Sequence, residues 1–367
     1  MKLSAVILAA GYSSRMNGFK PLMELGGRSL LYRCAELFNR AGVKKVAVVT
    51  GHRHAEVAEE AKRCGLTCLH NSGFDQGMYS SVRLAAGHFL RVDGLFILPV
   101  DIPLVRSATI AALLAAFDGK TLVTPTFAGK AGHPPLLPGR LLKRILTYEG
   151  RGGLRALLEK EPGREIAVWD RGILLDADTA EDFAALAARF DLLAQGEREE
   201  AMELARLVMP EKGVAHGLAV AEVATILARA LNRHGLDLDE QLVYNAALLH
   251  DLAKGQAQHE IRGAAMLNRL GLDRLAPLVA GHRDIPPPST GHLGEKEVVC
   301  LADKLVRGSR RVPIEQRFAE KLELYATDRD ACRAINGRRQ NALALQEMVE
   351  QHIGRPLEEI LANDLGC

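Results

Sequence analysis

The sequence predicts two units in series: an α/β domain built on a doubly wound, mostly parallel sheet over residues 1–194, and an all-α domain over residues 195–367. Three observations predict this. Short apolar runs alternate with amphipathic stretches through the first part of the chain, which is the signature of strands alternating with helices. After residue 195 the alternation stops and no convincing strand remains. Between the two patterns lies Ala194-Gln-Gly-Glu-Arg-Glu-Glu200, a polar connector.

The elements follow in order. Lys2–Leu8 is an apolar run that reads as a buried first strand. Ser29 to Ala41 reads as a helix with Gly42 as its C-terminal cap, and His54 to Cys64 as the next helix. Lys44–Thr50, Leu66–His70, Gly94–Val100 and Thr121–Thr124 read as further strands. In open parallel sheets ligands lie beyond the carboxyl ends of the strands. Residues 9–20, 71–81 and Asp101 all fall at such ends. In the second unit 197–209, 213–234, 239–254, 258–271, 293–308 and 313–326 read as helices, and Pro286-Pro-Pro-Ser-Thr-Gly291 as an exposed loop.

Apolar residues make up 48% of the 367 and charged residues 25%, with a net charge of +2. That balance gives no electrostatic case for a nucleic-acid or membrane partner. No apolar run of transmembrane length and no signal-type segment is expected, so the reading is cytoplasmic. The cysteines at 34, 64, 68, 300, 332 and 367 are expected to be reduced thiols, and Cys64 and Cys68 lack the second pair a zinc site needs.

The first strand runs into Leu8-Ala-Ala-Gly-Tyr-Ser-Ser-Arg-Met-Asn-Gly-Phe-Lys20. Gly11 and Ser13 let backbone N–H groups close on a phosphate, and Arg15 and Lys20 add two fixed cations. Neither a P-loop nor a dinucleotide-type G-x-G-x-x-G is present. The stretch resembles the L-A-A-G-x-S-x-R-M-G-x-x-K signature of the nucleotidyltransferases that activate molybdopterin and sugars, with Asn17 at a family glycine; Asn is the non-glycine residue best suited to positive φ. The resemblance implies a Rossmann-like transferase, with Leu8, Ala9, Ala10, Gly11, Ser13 and Lys20 around the nucleotide and Arg15, Lys20 and Asp101 as catalytic groups.

Further segments extend the resemblance. Asp101 in Leu98-Pro-Val-Asp-Ile-Pro103 sits where the family has its Mg²⁺ ligand, and Asp178 or Asp176, in Asp176-Ala-Asp-Thr-Ala-Glu-Asp182, where it has a second contact. The simpler reading of that second segment is helix capping by Asp178 or Thr179. Asn71, Gly77, Ser80 and Ser81 match a segment placed around base, ribose and acceptor. His133, in Gly-His-Pro, matches the molybdenum cofactor cytidylyltransferase branch and implies an acceptor contact, as does Arg155 in Gly150-Arg-Gly-Gly-Leu-Arg155. There Arg151 stands where the branch has Asp, which leaves the acceptor open. The implied reaction joins CTP to molybdopterin, with a molybdoenzyme or its chaperone as a possible partner; the alternative acceptor is a sugar or alcohol phosphate.

In the second unit His216, His250-Asp251 and Asp303 fall on three predicted helices, the middle pair ending the apolar run from Ala246. Ionisable groups on apolar faces are costly unless paired or bound to metal. The order H…HD…D resembles the HD superfamily of metal-dependent phosphohydrolases, which implies a divalent metal such as Mn²⁺, Fe²⁺ or Mg²⁺ and metal-activated water. His259 and His282 are further family-like positions that would accompany a second metal, and Lys254 could hold a substrate phosphate. A nucleotide-sensing role for this half is the alternative. The chain from 313 onward reads as packing helices without chemistry.

Overall fold

A computed structural model describes residues 1–363 apart from Asn17 and Thr290, and it divides into two compact units, Met1–Asp191 and Leu192–Cys367. Asn17, Thr290 and Cys367 thus lie outside the described residues. The first unit runs β1 (Leu3–Ala9), β2 (Glu24–Leu25), β3 (Arg28–Ser29), α1 (Leu30–Arg40), β4 (Lys45–Thr50), α2 (His54–Arg63), β5 (Thr67–His70), α3 (Met78–His88) and β6 (Gly94–Pro99). It continues α4 (Ser107–Ala116), β7 (Leu122–Phe127), β8 (Lys130–Ala131), β9 (Leu136–Pro138), α5 (Gly139–Thr147), α6 (Gly153–Leu158), β10 (Gly163–Ala167) and α7 (Ala180–Leu192).

The main sheet has the order β10-β7-β9-β6-β1-β4-β5. β1 pairs in parallel with both β4 and β6, β4 with β5, and β7 with β10, while β9 is antiparallel to β6 and β7. Val6, Ile7, Val48, Val49, Phe96 and Leu98 are fully or almost fully buried, the pattern of strands covered on both faces. From β1 the chain first builds outward to β4 and β5, then returns to the other side of β1 with β6. The order therefore reverses at the β1/β6 pair, and a crevice opens beyond their carboxyl ends.

Two strands depart from the sequence pattern: β9, between β6 and β7, and β10, at the edge of the sheet. β9 has only three residues after Pro135, and β10 is mostly exposed, so neither carries an apolar run long enough to read as a strand. Gly42 takes φ +80° just past the α1 cap Ala41, the left-handed position that a helix-terminating glycine supplies.

The second unit is α8 (Arg198–Val208), α9 (Glu211–Arg233), α10 (Glu240–Leu249), α11 (His259–Arg269), α12 (Ala276–Gly281) and α13 (Glu295–Lys304), then a small hairpin of β11 (Val306–Arg307) and β12 (Arg310–Arg311), followed by α14 (Ile314–Leu324), α15 (Arg329–Ile353) and α16 (Leu357–Asn363). Three expectations need correction. α10 stops at Leu249 rather than 254, because three-residue turns such as Leu252 N–H to Leu249 C=O take over. α13 stops at Lys304 rather than 308, and Gly308 at φ +59° turns the chain into the unexpected hairpin. α9 is apolar and long enough to cross a membrane, contrary to the sequence reading, but 67% of its apolar window is buried within the protein. It packs against α10 and α13, and Gly217 makes this possible: a Cβ there would lie 2.3 Å from the Leu248 carbonyl oxygen.

Candidate functional sites

At the β1/β6 crevice the loop after β1 and the turn after β6 stand side by side. The Val100 N–H donates to the Leu8 carbonyl at 3.1 Å, which ties the two ends together. The Ala177 N–H donates to the Asp101 carbonyl at 2.9 Å and brings the 176–178 segment to the same place. Lys20 Nζ lies 3.0 Å from Asp101 Oδ2 and 2.7 Å from Asp178 Oδ1, and Arg15 lies 2.9 Å from the other Asp178 oxygen. Burial weighs against the Lys20 charge, but its bonds to Asp178 and Asp101 more than offset this, and its pKa lies above the ordinary lysine value. The Lys20 bond holds Asp178 below the usual carboxylate range. Partial burial and then the Asp178 and Asp101 charges push Asp176 above it. Two carboxylates, Asp101 and Asp178, thus share one ammonium, with Asp176 near enough to feel both their charges; carboxylate oxygens are the donor type that suits Mg²⁺. Held there, Mg²⁺ would neutralise phosphate charge.

The capping alternative resolves onto Thr179. Its hydroxyl and N–H donate to Asp182 at 2.9 and 2.8 Å, and the Asp182 N–H donates back to its Oγ at 3.2 Å. Asp178 is thereby left to face Lys20.

The residues of the loop after β1 and of the 71–81 segment differ in exposure and bonding. Leu8, Ala9 and Ala10 are buried. Gly11 is exposed, and a Cβ there would meet nothing within 4 Å, so a ligand can approach its backbone. Ser13, at φ +56°, accepts the Lys20 N–H on Oγ at 3.1 Å and so closes the loop. Gly77, at φ +94°, precedes α3 as its cap. Asn71 donates to Ser80 Oγ at 2.8 Å and Ser81 Oγ at 3.0 Å, and Ser80 Oγ donates to the Gly77 carbonyl at 2.8 Å. Ser81 is 3% exposed, so its hydroxyl braces the segment rather than facing solvent.

A cavity of about 980 Å³ beside this crevice is lined by Leu8, Tyr79, His133 and Arg155 among others. Burial drives the His133 pKa down, and its Nδ1 is buried without a partner. Arg155 pairs with Glu159 at 2.8 Å and Arg151 with Glu149 at 3.3 Å, all well exposed.

In the second unit the metal-type side chains converge although they come from α9, the turn after α10, α11, the end of α12 and α13. His216 Nε2 lies 3.4 Å from Asp303 Oδ1 and 3.8 Å from Asp251 Oδ2. His250 Nε2 lies 3.4 Å from Asp251 and 3.7 Å from Asp303. On the other Asp251 oxygen, His259 Nε2 lies at 3.3 Å and His282 Nε2 at 3.8 Å. Two ligand groups therefore share Asp251: His216, His250 and Asp251, then Asp251, His259 and His282, each within 4.8 Å. His250 and Asp251 lie just beyond their helix rather than on it, which lets the aspartate face both groups.

The surrounding backbone fixes the imidazoles. Nδ1 of His216, His250 and His282 lies 2.8, 2.7 and 2.6 Å from the carbonyls of Gly308, Ala247 and Val279. A carbonyl only accepts, so Nδ1 carries a proton in each ring, and Nε2 is the nitrogen turned toward the cluster. His250 Nε2 is buried without a hydrogen-bond partner, as expected of a group made for a metal. Burial alone would discharge His250, but Asp251 and Asp303 outweigh it and raise its pKa, while burial and then the His250 charge drive His282 down to about 4. Against the cost of burial, His250 and Lys254 hold Asp251, and Lys304 and Arg317 hold Asp303, well below the usual carboxylate range.

Sequence reasoning missed two of these partners. Lys304, next to Asp303, donates to it at 2.7 Å and to the His282 carbonyl at 2.9 Å. Arg317 on α14 donates to Asp303 at 3.0 Å, so the region after 313 does reach the site. Lys304 was legible as the residue after a metal-type aspartate; Arg317 carried no local signal.

Residues 5–166 match the MobA-like NTP transferase domain family, and residues 213–308 match the HD domain family. The chain belongs to the MobA-like NTP transferases, with an HD domain fused behind. An uncharacterized protein of Methanocaldococcus jannaschii is 30% identical over 146 residues, 34% of this chain and 86% of its own. The bifunctional protein GlmU of Polaromonas naphthalenivorans is 31% identical over 176 residues, 44% of this chain, and the match spans only 35% of GlmU. The molybdenum cofactor cytidylyltransferase of Escherichia coli is 24% identical over 197 residues, 51% of this chain and 97% of its own.

Proposed function

We propose that the first unit is a Mg²⁺-dependent cytidylyltransferase that joins CTP to molybdopterin, and that the HD unit is a metal-dependent phosphohydrolase acting on a nucleotide or phosphate ester. The observation that carries the transferase reading is the Lys20 ammonium held between Asp101 and Asp178 at the β1/β6 crevice, with Arg15 beside it. Support for the acceptor comes from the Escherichia coli relative, matched along 97% of its length, and from Gly132-His-Pro134.

In this reading Gly11 and Ser13 shape a loop whose N–H groups cradle the triphosphate, with Arg15 and Lys20 as its cations. An oxygen of the acceptor phosphate attacks the α-phosphorus. The bond from that phosphorus to the α–β bridging oxygen breaks, and pyrophosphate leaves. The chain supplies alignment and charge neutralisation, with no covalent enzyme intermediate. Asp101, with Asp178, holds the metal, and His133 and Arg155 line the acceptor cavity. In the HD unit the proposed ligands are His216, His250, Asp251 and Asp303 for one metal, with His259 and His282 for a second; metal held there would activate water and polarise a phosphoryl group.

The test is incubation of the full chain with Mg²⁺, molybdopterin and each NTP in turn, with products identified by mass. A cytosine dinucleotide formed with CTP and lost in Asp101→Ala is the expected result. A product only with sugar or alcohol phosphates as acceptor would replace molybdopterin with that class, and the outward-facing Arg151 would be the first residue to examine.

A further inference from the structure

The HD cluster opens into a cleft of about 480 Å³, a size typical of small-molecule sites, which run to about 300–1,000 Å³. His216 forms part of its wall, so the cleft leads to the metal-type residues. Its charge is one-sided. Lys212, Lys254, Arg307, Arg317 and Lys321 line it against a single carboxylate, Glu320. Arg307 pairs with Glu320, Arg317 with Asp303 and Lys254 with Asp251. Lys212 and Lys321 enter no ion pair among the described residues. Arg317 is only half used: one terminal nitrogen reaches Asp303, while its Nε and Nη1 are buried without a partner. Arg317 and Lys321 stand one turn apart on α14, beyond the segment 213–308 that matches the HD family.

Such a cleft is unfavourable on its own. Like charges crowd one another, and buried guanidinium N–H groups lack acceptors. Burial and the Arg317 charge push the Lys321 ammonium down to about 8, although the residue as a whole is exposed. An anion would relieve both conditions. A single phosphate at the cluster would meet Lys254 and Arg317, which already serve Asp251 and Asp303. It would leave Lys212 and Lys321 unanswered. A ligand with a second phosphate can meet both sets.

We infer that the HD site takes a diphosphate-bearing substrate, one phosphate at the His/Asp cluster beside Lys254 and Arg317 and the next held by Lys212 and Lys321. This rests on the hydrolase reading above and narrows it to P–O–P bonds. Water attacks one phosphorus, the bond from that phosphorus to the bridging oxygen breaks, and the bridging oxygen departs with the second phosphate. One water is consumed, and its protons pass to the products and solvent. Inorganic pyrophosphate and a nucleoside diphosphate share this chemistry.

The test uses the full chain with Mn²⁺ in the Lys20→Ala background, which weakens phosphate binding at the transferase loop. Calorimetry compares methylenediphosphonate with methylphosphonate, and hydrolysis is followed with pyrophosphate, CDP and CMP. The expected result is about tenfold tighter binding of the diphosphonate, as added charge-assisted contacts provide. That preference should disappear in Lys212→Ala/Lys321→Ala while bound Mn²⁺ and melting temperature stay unchanged. Pyrophosphate against CDP turnover then tells which source of the diphosphate is used. Equal affinity for the two phosphonates, or a preference that survives the double variant, overturns the inference. Protein that binds no metal and cleaves none of the three compounds overturns the hydrolase reading instead, and the phosphonate comparison still stands on its own.

Discussion

The two sites solve the problem of holding charge in opposite ways. In the transferase unit the charged groups sit in a crevice that is only partly open, and their exposure is graded: Arg15 is 70% exposed, Asp178 32%, Asp101 22% and Lys20 13%. In the HD unit His250, Asp251 and Asp303 are nearly sealed, with 1%, 5% and 9% of their side chains exposed. A loop-borne site can admit and release a large nucleotide, because its cations are exchanged among carboxylates, phosphates and water at small cost. A buried cluster cannot do this. It needs a resident positive charge, since removing one partner leaves an uncompensated buried group.

The largest effect should follow from Asp251→Ala. This residue belongs to both ligand groups, so bound metal per chain, measured by elemental analysis, should fall to near zero rather than by half. Retention of one metal would mean that the two groups are independent. Next comes Lys20→Ala, which removes the cation shared by Asp101 and Asp178. Cytidylyl transfer should fall by about 10²-fold or more, as when a preorganised charge is lost, with a smaller fall in melting temperature than Asp251→Ala gives, because Asp101 and Asp178 keep some access to water. A large fall in melting temperature would show that the open site is as structural as the buried one.

Gly217→Ala sharpens the contrast without touching a ligand. The new Cβ would press on the Leu248 carbonyl, two residues before His250, and overpacking of this kind costs about 1–3 kcal/mol. Metal affinity and melting temperature should fall together, while transferase activity stays within twofold, roughly, because Gly217 and the transferase residues belong to separate compact units. The smallest effect concerns Asp118, in an exposed loop of the first unit. Its carboxylate accepts from the Lys120 and Thr121 N–H groups, and its pKa drops from 3.8 to about 2. A depressed carboxylate contributes stability that is present above 3.8 and lost as pH falls through about 2. The melting-temperature gap between wild type and Asp118→Ala should therefore close over that window.

That the loop 8–20 lies beside Asp101, and that His216, His250, Asp251 and Asp303 cluster, was legible because each sits in a pattern whose residue types and spacing are unusual for packing alone. Ser81 and Thr179 were only half legible: both could be read as polar groups near a site, and the hydrogen bonds to Asn71 and Asp182 decided their roles. Arg317 was not legible at all, being a charged residue on an amphipathic helix like many others.

By itself the sequence determined the alternation of strands and helices, the change to a mostly helical unit, and the irregular loop that follows the first strand, since these depend on periodicity and on local backbone chemistry. Tertiary structure alone decided that the chain order reverses between β1 and β6, so that residues from 9–20, Asp101 and Asp178 meet. It also decided that α10 ends before His250, that Asp251 faces two ligand groups, and that α14 brings Arg317 and Lys321 to one cleft. The reason is distance along the chain. Lys20 and Asp178 are 158 residues apart, and no local propensity encodes a meeting that only the packing of whole layers produces.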